Sequence, residues 1–566
     1  MVEILEEVDL ELHALPNDPA QDVKPLSVTF ALIAPIVLEA CGGGGSAAPT
    51  SVTPPPPPPP VAQLGAGEVS RFLAQATMGP SKAEITALQS SNYDAWLTTQ
   101  LGMARATKFY DWLTTNGHNI PGNVFNLNGF DAMYWAQFIG GADQLRQRVG
   151  LALMDMFVVG VGALGGPWRP FSMAAFADIL WDNAFGNFRE LLEGVAGNVA
   201  MGEFLTFQGN RKATARTVPD ENFARELLQL FTIGLFALEA DGTLRLSGGN
   251  PVETYGRDDI SGLARVWTGY IYANTDTTVP DRYRLPMIQV AGFHELGVKT
   301  FLGTTIPAGT DGIASRKIAL DTIFAHPNVP PFISKQLIQH LVTSNPSPAY
   351  VGRVSAIFAN NGSGVRGDLK AVIRAILTDS EARDTANQSS ASFGKLREPI
   401  VRLTNWARAT GVTSPGNLWP FGDTSSQANR LSQSPGRASN VFNFFRPGYT
   451  PAGSTIAAQN LVAPEFQMVN EPSTVAYINH MQTLIQSGAG EAKADYAALQ
   501  ALATDSQALL NELNLVLAAN QISAATIATL RTALDTIAAT TPAGQLSRVY
   551  AAVLLVMAAP EYLVLK

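Results

Sequence analysis

Apolar residues recur at helical spacing in one segment after another from Gly67 onward, and this periodicity limits the possible folds most strongly. Each such segment predicts a helix with one buried stripe. The segments are 70–78, 93–101, 144–159, 188–194, 220–234, 257–268, 333–342, 350–360 and 367–379. Asp368 directly precedes the apolar residues of the last segment, so we expect it to be an N-cap. The pattern predicts a mainly α fold built around a large multi-helix domain.

Two stretches depart from this periodicity. Residues 270–309 are rich in Thr, Val, Tyr, Pro and Gly, which predicts irregular loop with a short β-hairpin insertion. Residues 414–451 are polar and rich in Gly and Ser. After Glu471 the chain becomes rich in Ala and Leu, which predicts a C-terminal helical bundle. We therefore expect a main helical domain over 66–470 and a helical segment over 471–566 that closes the same body.

Composition and charge exclude several classes of protein. Hydrophobic residues make up 46% of the 566 residues, which excludes a mostly disordered chain. A single Cys excludes an intramolecular disulfide and any cysteine-rich metal site. Seven of the 47 acidic residues precede Lys24, so the rest of the chain is nearly neutral. Because no basic field steers nucleic acid, we expect no nucleic-acid partner.

The segment from Lys24 to Ser46 is similar to a bacterial lipoprotein signal peptide. A basic start and an apolar stretch lead to Leu38-Glu39-Ala40-Cys41 and four glycines. This order predicts cleavage before Cys41 and lipidation of its sulfur. The acidic residues 1–22 do not suit the start of a signal peptide, so we interpret residues 1–40 as a misassigned extension plus the signal peptide. A buried apolar helix is the alternative.

The residues that follow Cys41 predict a spacer over 41–65. Gly42 to Gly45 and the seven prolines from Pro54 to Pro60 favour a stiff polyproline segment that cannot pack as a core. Anchor, spacer and body together predict an exported lipoprotein at the outer membrane or cell surface, with the periplasmic side equally compatible. The membrane partner would be reached through the lipid.

Glu221, Arg225 and Glu226 are the leading catalytic candidates. They lie on the polar side of the helix predicted over 220–234, whose other side is strongly apolar. Two carboxylates within one turn can acquire different pKa values through burial and a neighbouring arginine, which separates acid from base roles. The alternative is an intrahelical salt-bridge face that ties adjacent helices together.

A second group of candidates combines an imidazole with carboxylates. His294 and Glu295 in the irregular stretch could transfer protons or bind a divalent cation, with Asp258 or Asp259 as further metal ligands. The simpler interpretation makes His294 a cap of backbone groups in the hairpin. Asp258 and Asp259 are then acids of the first helical turn.

Aromatic residues offer a third candidate feature. Trp267, Tyr270, Phe442, Phe444 and Phe445 are expected in the core, although an aromatic strip beside a cleft would suit sugar rings. The sequence contains no nucleophile elbow, phosphate-binding loop, dinucleotide fingerprint or zinc-protease motif.

Several segments together resemble the bacterial family known as domain of unknown function 1800, in order from about Gly67 to the C-terminus. They are Arg71 to Thr77, Leu145 to Val149, Asp220 to Gly234, Ala264 to Gly269, His294 to Gly303, Lys395 to Pro399, Ser439 to Gly448 and Ala558 to Tyr562. Where members of the family typically have His-Asp, this chain has His294-Glu295.

The resemblance implies an exported, largely helical protein, often encoded beside an exported family related to sulfatases and phosphatases. It implies no reaction. Two functions therefore stay open. One is a carboxylate-based enzyme that acts on an extracellular glycan or polymer, with a divalent cation as a compatible cofactor. The other is a non-catalytic binding or scaffold protein that partners the co-encoded sulfatase-like protein.

The lipidation hypothesis predicts that Cys41→Ser moves the protein from the membrane fraction to the soluble fraction, because the only anchoring sulfur is lost. Fractionation followed by immunoblotting measures this, with Ser46→Ala as a control that leaves Cys41 in place. Identical fractionation of Cys41→Ser and the unaltered protein would contradict the hypothesis.

Overall fold

The computed structural model describes residues 64–566, which belong to one compact unit. The proposed extension, signal peptide, Cys41 and almost all of the spacer lie outside the described residues. Of the described residues, 54% are helical, and the strands form only two-stranded sheets. The prediction of a mainly α fold is therefore confirmed. No helix within residues 64–566 combines the length and apolarity needed to span a membrane.

The first part of the described chain consists of nine helices. They are α1 (Ala66–Ala76), α2 (Lys82–Gln89), α3 (Tyr93–Gly102), α4 (Phe109–Thr115), α5 (Phe130–Gly140), α6 (Gln144–Met156), α7 (Arg169–Asp182), α8 (Phe188–Gly197) and α9 (Val199–Phe204). Helix α6 packs against α1, α3, α5, α7 and α13 (Val329–Leu341), so it runs through the middle of the body.

Helix α6 is buried although its sequence is strongly polar. Every residue in it except Asp155 is buried, including Arg146 and Arg148. Arg146 donates to the carbonyl oxygens of Trp181 and Met103, at 3.0 and 2.9 Å. Gln147 accepts a hydrogen bond from the indole of Trp181 at 2.8 Å. A buried polar helix is tolerated because its side chains have partners such as these.

The middle of the chain contains the short strands. It comprises α10 (Asn222–Gln229), β1 (Leu246–Ser247), β2 (Asn250–Pro251), α11 (Arg257–Ala264), β3 (Tyr270–Ile271), β4 (Ile288–Gln289), β5 (Lys299–Phe301) and β6 (Thr304–Ile306). Each pair of successive strands is antiparallel. The hairpin expected within 270–309 is present as two such pairs.

Residues 235–254 form a further hairpin, here called the arm, which the sequence analysis did not predict. Beyond β1 and β2 it contains isolated bridges between Phe236 and Glu253 and between Leu238 and Leu244. Asn328 anchors its base, because its side chain donates to the carbonyl oxygens of Ile233 and Phe236, both at 2.8 Å. The helix expected over 220–234 accordingly stops at Gln229.

The remaining elements complete the body. They are α12 (Gly312–Ala325), α13, α14 (Pro348–Ala359), α15 (Leu369–Thr378), α16 (Ser380–Arg383), β7 (Lys395–Leu396), α17 (Pro399–Ala409), α18 (Thr455–Ala458), α19 (Glu471–Ser487), α20 (Ala497–Leu502), α21 (Ser506–Ala518), α22 (Ala524–Asp535), α23 (Pro542–Ala558), α24 (Pro560–Leu563) and β8 (Val564–Leu565). Asp368 caps α15 by accepting from the amide of Ala371 at 3.2 Å. The polar stretch 414–451 contains no helix or strand.

The C-terminal strand β8 pairs with β7, so the last residues of the chain hold the segment that begins at Lys395. Lys395 lies opposite Leu565, and Leu396 lies opposite Val564. Gly394 precedes β7 with φ +116°, and a Cβ at this position would lie 2.8 Å from the carbonyl oxygen of Leu565. Only glycine lets the two backbones approach so closely.

Gly394→Ala is therefore expected to lower the free energy of unfolding by about 2 kcal/mol, from the left-handed φ together with the clash. Urea unfolding followed by circular dichroism measures the change. Gly411→Ala is the matched control, because Gly411 also has a positive φ (+62°) but no atom within 4 Å of an added Cβ. Equal losses of unfolding free energy in the two variants would show that the close approach of β8 to Gly394 contributes nothing to stability.

Candidate functional site

The structure places Glu221, Arg225 and Glu226 at the start of α10. Arg225 contacts Glu221 at 3.2 Å in a partly exposed ion pair one turn apart. Glu226 is buried, and burial raises the pKa of its carboxyl. Its Oε2 has no hydrogen-bond partner among the described residues. The pair has the geometry of an intrahelical salt bridge, whereas Glu226 is an isolated buried acid.

His294 and Glu295 are engaged locally. His294 is fully buried, with Nδ1 at 3.0 Å from the carbonyl oxygen of Thr268 and Nε2 at 3.4 Å from the hydroxyl of Ser315. Burial lowers the pKa of His294. Although burial alone would raise the pKa of Glu295, the amide of Gly297 and the Arg265 guanidinium lower it. The hydrogen bonds of His294 thus go to Thr268 and Ser315 rather than to Glu221 or Glu226.

Asp258 and Asp259 lie in the first turn of α11. Asp258 is exposed. Asp259 accepts from the amide of Gly256 at 2.8 Å and from the amide of Leu302 at 2.6 Å. Both oxygens of Asp259 therefore accept from backbone amides, one at the start of α11 and one at the turn between β5 and β6. Among the described residues no further ligand group accompanies Asp258 and Asp259, and their proposed metal-binding role stays a prediction.

A different set of residues forms a compact group of carboxylates and imidazole in the interior. Asp155 near the end of α6, His340 in α13 and Glu398 directly before α17 each offer a ligand atom, all within 4.8 Å of one another. Nδ1 of His340 lies 3.8 Å from Oδ2 of Asp155. The Asp155 side chain is only 5% exposed and that of Glu398 is 0% exposed. We call these three residues the acid cluster.

Two cations hold Glu398 in its buried position. Nζ of Lys395 and Nη1 of Arg148 each lie 3.5 Å from Oε1 of Glu398, and Gln433 donates to Oε2 at 3.0 Å. Lys395 also contacts Glu465 at 2.9 Å. Glu398 is the N-cap residue of α17, where the helix dipole favours a negative charge. A fully buried carboxylate needs compensation of this kind to remain ionised.

This arrangement separates the protonation states of the two carboxyl groups. Burial, followed by the negative charge of Glu398, raises the pKa of Asp155 well above its ordinary value. Burial would also raise the pKa of Glu398, but Lys395 and Arg148 outweigh it and lower that pKa. Adjacent buried carboxyl groups disfavour double ionisation, so we expect the pair to share one proton, held on Asp155, while Glu398 carries the negative charge.

Neighbouring groups orient Asp155 and leave part of the cluster unpartnered. Asn443, in the left-handed region with φ 55°, donates to Oδ1 of Asp155 at 2.6 Å. Within the described residues, Oδ2 of Asp155 and Nδ1 of His340 are buried without a hydrogen bond that meets ordinary geometry. Burial, then the positive charge of Lys395, lowers the pKa of His340 to about 3. His340 is therefore neutral at neutral pH and a weak proton acceptor.

Asp155 lines a cleft of about 1010 Å³ at the surface of the body. The arm, one side of α13 and the loop that contains Asn443 form its walls. Aromatic rings and side-chain amides both line these walls. The rings are Phe236, Phe332, Phe393, Phe442 and Phe445, and the amides are Gln229, Gln336, Gln339, Asn345, Asn387 and Asn460. Of the five aromatic residues singled out from the sequence, Phe442 and Phe445 line this cleft, whereas Trp267 and Tyr270 are core residues.

The acid cluster is a poor fit for a divalent cation, even though its donor atoms lie close together. Both oxygens of Glu398 already accept from protein donors, and two positive side chains lie within 3.5 Å of Oε1. A bound cation would have to displace these donors and would be repelled by Lys395 and Arg148. The donor set therefore supports proton chemistry better than metal binding.

The acid cluster was not predicted from the sequence, although several residues in and around it lie in segments that carry the family resemblance. Lys395, Glu398 and Asn443 lie in those segments, without an assigned role. Arg148 was expected to pair with a carboxylate inside the bundle, and it lies 3.5 Å from Glu398. The usable signal was a charged residue inside an apolar run, such as Asp155 in Leu151 to Gly160. Such a residue must be compensated in the interior or be functional.

The protonation of His340 predicts how stability depends on pH. Its folded pKa lies below the unfolded value, so its contribution is complete above about pH 6.5 and is lost as the pH falls toward 3. The free energy of unfolding falls as the pH is lowered from 6.5 to 4. This fall should be smaller in His340→Gln than in the unaltered protein, by on the order of 2 kcal/mol. Chemical denaturation across this range measures the difference.

The control is His118→Gln, because His118 is only half-buried and stacks on Trp112. A smaller change in the pH dependence is expected for it. Parallel stability curves for His340→Gln and the unaltered protein would contradict the assignment of a neutral, buried imidazole.

Comparison with known proteins identifies a family but no individual protein that matches the chain. No curated protein and no solved structure matches the chain. A family model described as "Protein of unknown function (DUF1800)" matches residues 71–564, which include the acid cluster and the walls of the cleft. Since this match spans nearly all of the described residues, the chain belongs to the DUF1800 family.

Proposed function

We propose that the protein is an exported, lipid-anchored enzyme that cleaves an extracellular glycan, with Asp155 as its proton donor. The observation that carries the proposal is a carboxyl group with a raised pKa at a cleft, next to a carboxylate that two cations keep ionised. Pairs of carboxyl groups whose environments separate their pKa values are typical of acid–base catalysis. Export and lipidation rest on the sequence around Cys41.

The chemistry assigned to Asp155 is protonation of a leaving oxygen. As the glycosidic C–O bond breaks, the leaving oxygen takes the proton of Asp155, and water adds to the sugar carbon. The proton that this water loses returns to the Asp155 carboxylate. Glu398 is a positioning residue, because it is fully buried behind Asp155 and acts by holding the proton there.

Aromatic and amide side chains in the cleft support a saccharide as the substrate class. Sugar rings stack on aromatic faces, and their hydroxyl groups bond to amides. Phe442 and Phe445 lie in the same loop as Asn443, which donates to Asp155, and the Phe445 ring lies 5.8 Å from the ring of His340.

The alternative, a scaffold for the co-encoded sulfatase-like protein, draws support from the exposed apolar side chains of the arm. Leu235, Phe236, Leu244 and Leu246 are between 40% and 57% exposed. Exposed apolar clusters mark surfaces that bind partners. The ion pairs of Glu221 with Arg225 and Glu295 with Arg265 also suit a structural role for those residues.

Asp155→Asn separates catalysis from stability. Because Asp155 is neutral in the folded state, asparagine should preserve the hydrogen bond from Asn443 and change the unfolding free energy by less than about 1 kcal/mol. Glycan cleavage should fall by about 10²-fold or more. Mass spectrometry of oligosaccharides released from a panel of extracellular polysaccharides measures the activity. Cleavage by Asp155→Asn at the original rate would sink the proposal.

Two further variants are the controls. Glu398→Gln should lower the unfolding free energy by about 3–5 kcal/mol, because Lys395 and Arg148 lose their shared buried anion. Glu203→Gln alters another carboxyl with a raised pKa, outside the cleft, and should keep full activity. A scaffold would instead show no cleavage in any variant, and its partner binding would depend on the arm.

A further inference from the structure

Lys335 is a cation in the cleft that has no anionic partner in the part of the chain that the structure describes. It lies on the side of α13 that lines the cleft and makes no ion pair or side-chain hydrogen bond among residues 64–566. Burial lowers its pKa, and no carboxylate offsets that effect. A half-buried ammonium group without compensation reduces stability, so its position in a cleft points to a ligand that supplies the negative charge.

Gln336, the next residue of α13, has a second unpartnered donor in the same wall. Gln336 is only 7% exposed, and its Nε2 is buried without a hydrogen-bond partner within residues 64–566. Unpaired buried donors are rare in native structures. A wall that carries one charged and one neutral donor, both without partners among the described residues, is suited to an acidic group.

The other charged side chains of the cleft do not supply an anion for Lys335. Besides Lys335, the charged lining residues are Asp155, Glu381 and Arg446. Asp155 retains its proton, and Glu381 accepts from both the amide and the hydroxyl of Ser347. Arg446 lies over the ring of Phe442 at 4.0 Å and adds a second positive charge. With Asp155 protonated, the cleft therefore has an excess of positive charge.

We infer that the cleft binds a saccharide that carries an acidic group, with the oxygens of that group on Lys335 and Gln336. This inference rests on the proposed function for the identity of the ligand as a saccharide. Lys335 precedes His340 by five residues on α13, which is about 7.5 Å along the helix axis. Lys335 and Asp155 both line the cleft, so the acidic group would lie along the cleft from the bond that Asp155 protonates, and it would fix the position of the chain there.

A carboxylate and a sulfate ester share the chemistry that these donors recognise. Isothermal titration calorimetry on the full chain carrying Asp155→Asn measures binding without cleavage. The probes are trigalacturonate, its methyl ester, a sulfated trisaccharide and neutral maltotriose. We expect binding of one or both acidic probes, and the tighter of the two identifies the acidic group. Affinity for the ester and for maltotriose should be at least about tenfold weaker.

Lys335→Met should weaken binding of the acidic probe by about tenfold or more and leave the neutral probes unchanged. Because no carboxylate compensates Lys335, the melting temperature of this variant should be equal or higher, which separates lost binding from lost folding. Lys370→Met is the matched control, since it removes the same charge from an exposed helical position outside the cleft.

The outcomes separate this inference from the proposed function. Equal binding of acidic and neutral probes, or failure of the acidic probes to bind, would overturn the inference. Unchanged affinity of Lys335→Met for the acidic probes would also overturn the inference. Glycan cleavage that depends on Asp155 could still be found in each of those cases. Conversely, the acidic probes could bind in a way that depends on Lys335 while glycan cleavage survives Asp155→Asn. That result would support the inference and overturn only the assignment of Asp155 as the proton donor.

Discussion

The negative charge of Glu398 in the interior is the constraint on which the rest of the site depends. Its carboxylate has no access to solvent, so Lys395, Arg148, Gln433 and the N-terminus of α17 replace the water that would solvate it. Each of these groups has to arrive in place for the charge to be tolerated. The negative charge of Glu398 opposes ionisation of the neighbouring Asp155, so we expect Asp155 to hold a proton at the cleft.

Several distant parts of the chain meet to satisfy this constraint. Helix α6 contributes Arg148 and Asp155, α13 contributes His340, and the segment before α17 contributes Lys395 and Glu398. The C-terminal strand β8 holds that last segment by pairing with β7. Changes near the C-terminus are therefore expected to affect the cleft through the placement of Lys395. The arm closes another side of the same cleft from its anchor at Asn328.

Much of the fold could be predicted from the sequence because it depends on local patterns. Apolar periodicity indicated nine helical segments among the helices of the described residues, and Asp368 indicated the start of α15. The mixture of Thr, Pro and Gly indicated hairpins within 270–309. The pairing of β7 with β8 could not be found this way, since two-residue strands far apart in the chain leave no periodic signal. The helix was predicted beyond Gln229 because Leu230, Phe231 and Ile233 continue the apolar pattern of α10, and the arm that follows was not predicted.

The site was harder to predict because compensation between buried charges is a tertiary property. Glu221 and Arg225 attracted attention as neighbours in the sequence, and they form a partly exposed ion pair. Glu398 and Asp155 become a pair only after folding, and neither stands out from its sequence neighbours alone. Nor can the sequence show that Lys335 lies in a cleft without a partner among residues 64–566.

The most direct test of this account is the protonation state of Asp155 at neutral pH. Infrared difference spectroscopy between the unaltered protein and Asp155→Asn isolates the carbonyl stretch of this one side chain. The account predicts that the substitution removes a band of a protonated carboxyl group, and that this band weakens only at alkaline pH. Loss of an ionised carboxylate band at neutral pH instead would show that Asp155 carries no proton, and would contradict the central claim.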